Sequence, residues 1–430
     1  MRKLFKNATI ITMVPGEEIL KNASMVIEGD QILSVGEEVV DESTMDEVID
    51  VQGNLLLPGF INTHGHAGMS LLRGYADDLP LKTWLEDHMW PIEARYGEEQ
   101  VRVGTYLAVA EMIRGGTTCF ADMYAPMEPV AEVVEETGMR ASLCRGVIGL
   151  GPEEEQIKKW KEAYHFAKTW NGKAGGRITT MMAPHAPYTC TPEYITRIVE
   201  SAAELGVPIH THMSETAAEV EQNVEQYGAR PVEHLRRLGV FELPTLVAHA
   251  VHLNDEEIAI LAEYDVKISH NPGSNLKLGS GIAPVPKMLQ QGIRPSLGTD
   301  SAASNNNLDL LEEIRLAALI HKGVEQNPEA VPAATALAMG TVYGAEALFL
   351  SNVGVLAPGK QADFIIVDTS GVHMHPPHDL LSHLVYAASR DDVRDVYVAG
   401  RPLMKNRELL TVDEEKIRYE TQKAFAAIAE

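Results

Sequence analysis

The chain has 430 residues, 45% of them hydrophobic, which is material for one large α/β domain plus a smaller one and excludes a disordered or low-complexity protein. Lys and Arg number 36 against 61 Asp and Glu, and the formal charge of −25 repels phosphate backbones and anionic lipid, so no nucleic-acid or membrane partner is expected. No apolar run approaches a membrane span, and three scattered cysteines, Cys119, Cys144 and Cys190, form neither a disulfide framework nor a thiolate metal site; each reads as core filler in a reducing cytoplasm.

In chain order, residues 1 to about 57 predict short strands separated by turns: "NATIITM", "ASMVIEGDQILSVG" with a hairpin turn at Gly29-Asp30, then "DEVIDVQG". The basic start of "MRKLFKNATIITMVPGEE" resembles a signal peptide, but its threonines and Pro-Gly-Glu-Glu fit a strand and turn better. From residue 58 the pattern alternates. Apolar strand candidates end near His64, Tyr124, Val147, His185, His212, His249, His270 and Asp300. Amphipathic helices lie between most of them, among them "EEQVRVGTYLAVAEMIRGG", "EPVAEVVEETG" and "PEYITRIVESAAELG", several closed by a glycine in C-cap position. Eight such alternations over about 290 residues fit a (β/α)8 TIM-type barrel better than an open sheet. After about residue 350 the strand texture returns in "GVLAPGKQADFIIVD" and "RDVYVAGRPLMKN". The organisation expected is a small β domain built from both ends, 1–57 plus 352–430, around a barrel over 58–351. The histidine-rich "VHMHPPHD" reads as a connection, because its adjacent prolines break regular structure.

The polar residues of the barrel strands collect at their C-terminal ends. His64 and His66 close strand one, Arg145 strand three, His185 strand four, His210 and His212 strand five, His249 strand six, His270 strand seven and Asp300 strand eight. Residues i and i+2 of a strand share a face, so His64 and His66 can aim at one point. In a barrel these ends meet at one mouth, where active sites sit. One such histidine is usually structural; imidazoles and a carboxylate converging from several strands point to a site.

"PGFINTHGH", "HMSET", "LVAHAVHL", "SHNPGSNLKLGSG" and "LGTDSAASNNNLDL", in this order, resemble the amidohydrolase superfamily over essentially the whole chain. The resemblance implies a metal-dependent hydrolase on a (β/α)8 barrel beside a β-sandwich. It implies His64, His66, His212 and Asp300 as metal ligands. Imidazole nitrogens and a carboxylate suit zinc, and iron(II) fits similar ligands. His210 faces the same way as His212; His212 is preferred because it begins H-x-x-E with Glu215, as in the deaminating branch. Relatives with two metals carry a strand-four lysine, and "RITTMMAPHAPYTC" has none, only His185, so one divalent metal is expected.

Within the superfamily the chain resembles the group of 5-methylthioadenosine/S-adenosylhomocysteine deaminases, which convert adenine nucleosides to the inosine analogue plus ammonia. That implies Glu215 in proton transfer to the ring nitrogen, with Asp300 and His249 handling the proton of the attacking water. Glu215 also fits a helix first turn, and His249 an orienter of a neighbouring group. In "LLRGYADDLPLKTWLEDHMWPIEA", a long loop after strand one, Glu93 matches the position that accepts the ribose hydroxyls, although a helix-cap role suits it as well. Arg145 and His185 match further substrate contacts, while Arg145 could equally pair with a structural acid. Trp84 walls the pocket or anchors the loop. The alternatives are guanine or cytosine deamination and triazine dechlorination on the same fold, and a non-enzymatic barrel, which should have lost ligands that are all present here. A homo-oligomer fits the family, but no residue marks an interface.

Overall fold

The computed structural model describes residues 1–429. Five strands open the chain: Arg2–Ile10 (β1), Leu20–Glu28 (β2), Gln31–Gly36 (β3), Glu47–Asp50 (β4) and Leu55–Pro58 (β5). The hairpin between β2 and β3 turns at Gly29, whose φ of +63° only glycine adopts without cost. Next come Phe60–Asn62 (β6), Thr117–Tyr124 (β7), Arg140–Val147 (β8), Ile178–Thr180 (β9), Ala183–Pro184 (β10), Ile209–Met213 (β11), Thr245–His249 (β12), Lys267–His270 (β13) and Ser296–Leu297 (β14). All pair in parallel, in the orders β6-β7-β8 with β9 and β10 both on β8, and β11-β12-β13-β14. The parallel bridges Met182–Ile209 and Gly65–Asp300 join the two arcs on both sides. The barrel is closed, and β9 with β10 acts as one interrupted strand. Side chains facing inward, among them Ile61, Cys119, Met123, Cys144, Met181 and Leu246, fill its interior. Period-2 alternation selects them, and all three cysteines are buried.

The helices between strands follow their capping signals. Glu128–Thr137 ends on Gly138 at φ +85°, and Pro192–Leu205 begins at Thr191, whose hydroxyl accepts from the Tyr194 N–H, and ends on Gly206 at φ +65°. The segment after β6, read as a loop, contains helix over residues 81–93. Its middle, Trp84–Met89, is wound one residue wider than an α-helix, with the Trp90 N–H donating to the Leu85 carbonyl. Among the described residues no helix is long and apolar enough to cross a membrane.

The chain closes with Phe364–Val367 (β15), Val393–Val398 (β16), Arg401–Lys405 (β17) and Glu408–Leu409 (β18). These do join the opening strands, but in one continuous nine-stranded sheet, β18-β17-β16-β15-β5-β1-β2-β3 with β4 also on β1, rather than as two separate sheets. The reason lies in β1. One edge pairs with β2 throughout, while the other takes β4 along Lys3–Lys6 and β5 along Thr9–Ile10. Register shifts after Phe5 and Ala8 bend the strand between the two partners. Phe5, Phe364 and Tyr397 meet inside the bend, with ring centroids 4.5 to 5.3 Å apart.

A buried ion pair fastens this sheet to the base of the barrel. Arg140, at the start of β8, donates from Nε (2.7 Å) and Nη2 (3.1 Å) to Asp363, which also accepts the Ala399 N–H at 2.8 Å. Both side chains are 3% exposed. Removing one partner leaves a buried charge without its counter-ion. Asp363→Ala is therefore expected to destabilise by about 3–5 kcal/mol, read as a fall in denaturant midpoint. A midpoint within error of wild type would mean that water or a neighbour replaces the carboxylate.

Candidate active site at the barrel mouth

The strand ends bring the expected ligands together. One donor atom each from His64, His66 and His212 lies within 4.8 Å of the others, and the same holds for His64, His249 and Asp300. Asp300 Oδ1 sits 3.5 Å from His64 Nε2 and 3.2 Å from His66 Nε2. Gly298 lets β14 come this close, because a Cβ there would lie 2.8 Å from the Cβ of His64. Ser214, His249, Ala250 and Asp300, all at or just after strand ends around this point, hold positive φ of 48° to 75°. Such strain in non-glycine residues collects where function over-determines the backbone.

Hydrogen bonds settle which ring nitrogens face the centre. His66 Nδ1–H donates to the Met123 carbonyl (2.6 Å) and His212 Nδ1–H to the His185 carbonyl (2.7 Å). His210 Nδ1–H donates to the Leu246 carbonyl at 3.0 Å, which leaves its Nε2 to accept from His64 Nδ1–H at 2.9 Å. Carbonyls only accept, so these assignments follow from chemistry. Three rings, those of His64, His66 and His212, therefore turn Nε2 toward one another, each held from behind as ligating histidines are. His210 lies one layer deeper than His212 and touches the centre only through His64.

These residues fit a divalent cation. His64 Nε2 is fully buried and has no hydrogen-bond partner. Burial opposes charge on His66, yet Asp300 overrides it and pushes the ring up to about 9. The pocket thus calls for positive charge beside the carboxylate. Burial would raise Asp300, but His64 and His66 hold it well below the usual carboxylate range. Its other partners are the Ser274 hydroxyl on Oδ2 (2.6 Å) and the Ser301 N–H on Oδ1 (2.8 Å).

His66, His212 and Asp300 of the cluster line a cavity of about 240 Å3 together with Trp84, Glu93, His185, Glu215 and His249. Glu215 is buried, its Oε2 is 3.7 Å from His249 Nε2, and burial raises it above the ordinary glutamate range. His249 is steadied from behind by Asn275 Oδ1 at 2.8 Å. Glu93, on the same cavity, accepts the Tyr124 hydroxyl and is likewise raised by burial. His185 bonds Thr189 Oγ1 at 3.0 Å, and burial pushes it down to about 3, so its ring is neutral. Trp84 lines the cavity while its indole N–H donates to the Ala76 carbonyl at 3.0 Å.

Arg145 takes the second of its two expected places, because its side chain is not part of the cavity wall. On β8 the inward positions are Cys144 and Gly146, so alternation turns Arg145 outward, where it pairs with Glu162 of the helix Glu153–Trp170 at 2.5 Å. His270 is also apart, its Nε2 3.3 Å from His321 Nε2. The sequence reading missed Tyr124, Ser274 and Asn275. Ser274 and Asn275 stand inside the quoted "SHNPGSN", where polar residues crowd a segment that should be buried.

Residues 55–403 match the amidohydrolase family. The chain belongs to the amidohydrolase family. As an amidohydrolase it is a hydrolytic enzyme, and the non-enzymatic alternative falls away. The chain is 50% identical over 435 residues to a 5-methylthioadenosine/S-adenosylhomocysteine deaminase of Halalkalibacterium halodurans, across 100% of this chain and 99% of that protein. Among solved structures it is similar to an adenosine deaminase from Xanthomonas campestris with bound zinc, at 36% identity, a TM-score of 0.93 and coverage of 99% and 98%. It is also similar to atrazine chlorohydrolase from Arthrobacter aurescens TC1 complexed with zinc, at 27% identity, a TM-score of 0.92 and coverage of 98% and 100%.

Proposed function

We propose that this amidohydrolase deaminates adenine nucleosides, converting 5′-methylthioadenosine, S-adenosylhomocysteine or both to the inosine analogue plus ammonia. The observation that carries the reading is one cavity lined by His66, His212 and Asp300 of the cluster, the buried acid Glu215 and the carboxylate of Glu93. Near-50% identity to deaminases of that name over full length supports the substrate class.

His64, His66, His212 and Asp300 would hold one divalent metal, zinc by analogy with the Xanthomonas structure. Such an ion lowers the pKa of a water from 15.7 to about 7. Asp300 and His249, whose polar atoms lie within 4.8 Å of each other, would take the proton that such a water gives up. Glu215, raised by burial, carries a proton to N1 of the purine. The C6–N bond breaks as a C6–O bond forms; one water proton stays on N1 and the other leaves with ammonia. Glu93 accepts the two ribose hydroxyls, a task for a carboxylate with several lone pairs. Triazines and free bases offer no diol, which sets them behind nucleosides as substrates.

The test is ultraviolet absorbance of zinc-loaded protein mixed with methylthioadenosine, S-adenosylhomocysteine, adenosine and guanine. Conversion of an adenine to a hypoxanthine spectrum is expected, and turnover of guanine alone would sink the nucleoside reading. Glu93→Gln should raise KM for nucleosides about 10–100-fold, the worth of a charged hydrogen bond, without affecting 9-methyladenine, which has no ribose. Equal effects on both compounds would remove Glu93 from the ribose site.

A further inference from the structure

We propose that Glu219 is a positioning residue for deamination, its carboxylate clamping the backbone turn that carries Glu215 into the cavity. Glu219 lies in the first turn of the helix Ala217–Tyr227, 5% exposed and outside the cavity wall. Its Oε1 accepts the Ser214 N–H at 2.8 Å and its Oε2 the Glu215 N–H at 2.7 Å. Two successive amides thus share one carboxylate. The Glu219 N–H in turn donates to Thr216 Oγ1 at 3.1 Å, fixing the helix start on which the clamp depends.

The turn needs holding. Ser214 sits at φ +53°, a conformation unfavourable for serine. Its carbonyl accepts the Val251 and His252 N–H groups at 3.0 and 2.9 Å, so the same turn also fixes the chain just after His249. Only two residues, Met213 and Ser214, separate His212, at the cluster, from Glu215. Freeing the two amides would leave His212 anchored through β11 and let Glu215 swing. A carboxamide cannot do the same work, because one of its two atoms is a donor and would face an amide N–H. Burial pushes Glu219 up to about 7, while the amides of Ser214 and Glu215 pull it down by favouring the carboxylate. Both its oxygens are used, so it acts through Glu215 and not on substrate.

The inference rests on Glu215 as the proton carrier. Its test is a double-mutant cycle on zinc-loaded full-length protein with methylthioadenosine, using wild type, Glu219→Gln, Glu215→Gln and the double variant. Glu219→Gln should lower kcat about 10–100-fold, the usual loss for such supporting groups, with KM and zinc content near wild type. Added to Glu215→Gln it should cost nothing further. Glu219→Asp keeps the charge but withdraws it by one methylene, and it should also lower kcat without loss of zinc. Losses that multiply in the double variant would overturn the proposal. So would a fall in zinc content or midpoint with unchanged kcat per bound zinc, in Gln or Asp variant alike. A wild type that turns over no adenine nucleoside would overturn the function reading as well, and that outcome is distinct from the others.

Discussion

Glu215→Gln is expected to leave the protein folded and zinc-loaded while lowering kcat for adenine nucleosides by about 10²–10⁴-fold, the range for a positioned proton carrier. Glutamine keeps the size and the reach toward Ser280 Oγ, which lies 3.5 Å from Glu215 Oε1. It cannot take up or give a proton. The side chain is buried and none of the centre's short contacts depends on it, so zinc content should stay at one per chain. KM should change little if Glu215 acts chiefly in the transition state. The decisive comparison is kcat per bound zinc for wild type and variant. A variant within threefold of wild type would transfer proton handling to His249 or Asp300.

Which of these roles the sequence already carried depends on the kind of information each needs. His64, His66, His212, His249 and Asp300 were legible because a barrel gathers strand ends, and strand ends are marked by polar residues after apolar runs. The choice between His210 and His212 was not legible from periodicity, since residues two apart share a face. They differ in depth by about two strand rises, roughly 6.6 Å, and only the partner carbonyls show which ring reaches the centre. Between its two readings, a substrate contact and a pair with a structural acid, strand phase puts Arg145 beside Glu162. Small Gly146 and apolar Cys144 hold the inward positions. The helix over 81–93 was hidden by Pro80 and Pro91, which suggest a loop; Pro80 precedes the first turn, and Pro91 opens the last turn just after the widened segment Trp84–Met89. The continuous terminal sheet rests on β1 sharing one edge between β4 and β5, a long-range pairing that no local pattern encodes.

His212→Ala and His210→Ala should separate cleanly, although both remove a buried imidazole from β11. Nε2 of His212 faces the centre with its Nδ1–H already committed to the His185 carbonyl. Its loss removes one of four expected ligands, so bound zinc should fall well below one per chain and turnover should drop to background. Asp300→Asn should behave alike, because it removes the negative charge that both His64 and His66 face at 3.5 and 3.2 Å. His210 touches the centre only by accepting the His64 Nδ1–H at 2.9 Å. Without it His64 keeps its place in the strand but loses the group that fixes its tautomer, so affinity should weaken by about 10–100-fold and excess zinc should restore activity. Zinc bound per chain at fixed free zinc checks all three variants. A second readout is stabilisation by added zinc, which grows by about 2.7 kcal/mol at a hundredfold excess over the dissociation constant. His212→Ala and Asp300→Asn should lose that response, and His210→Ala should regain it at higher zinc. Full zinc binding by His212→Ala together with none by His210→Ala would reverse the assignment and make the deeper histidine the ligand.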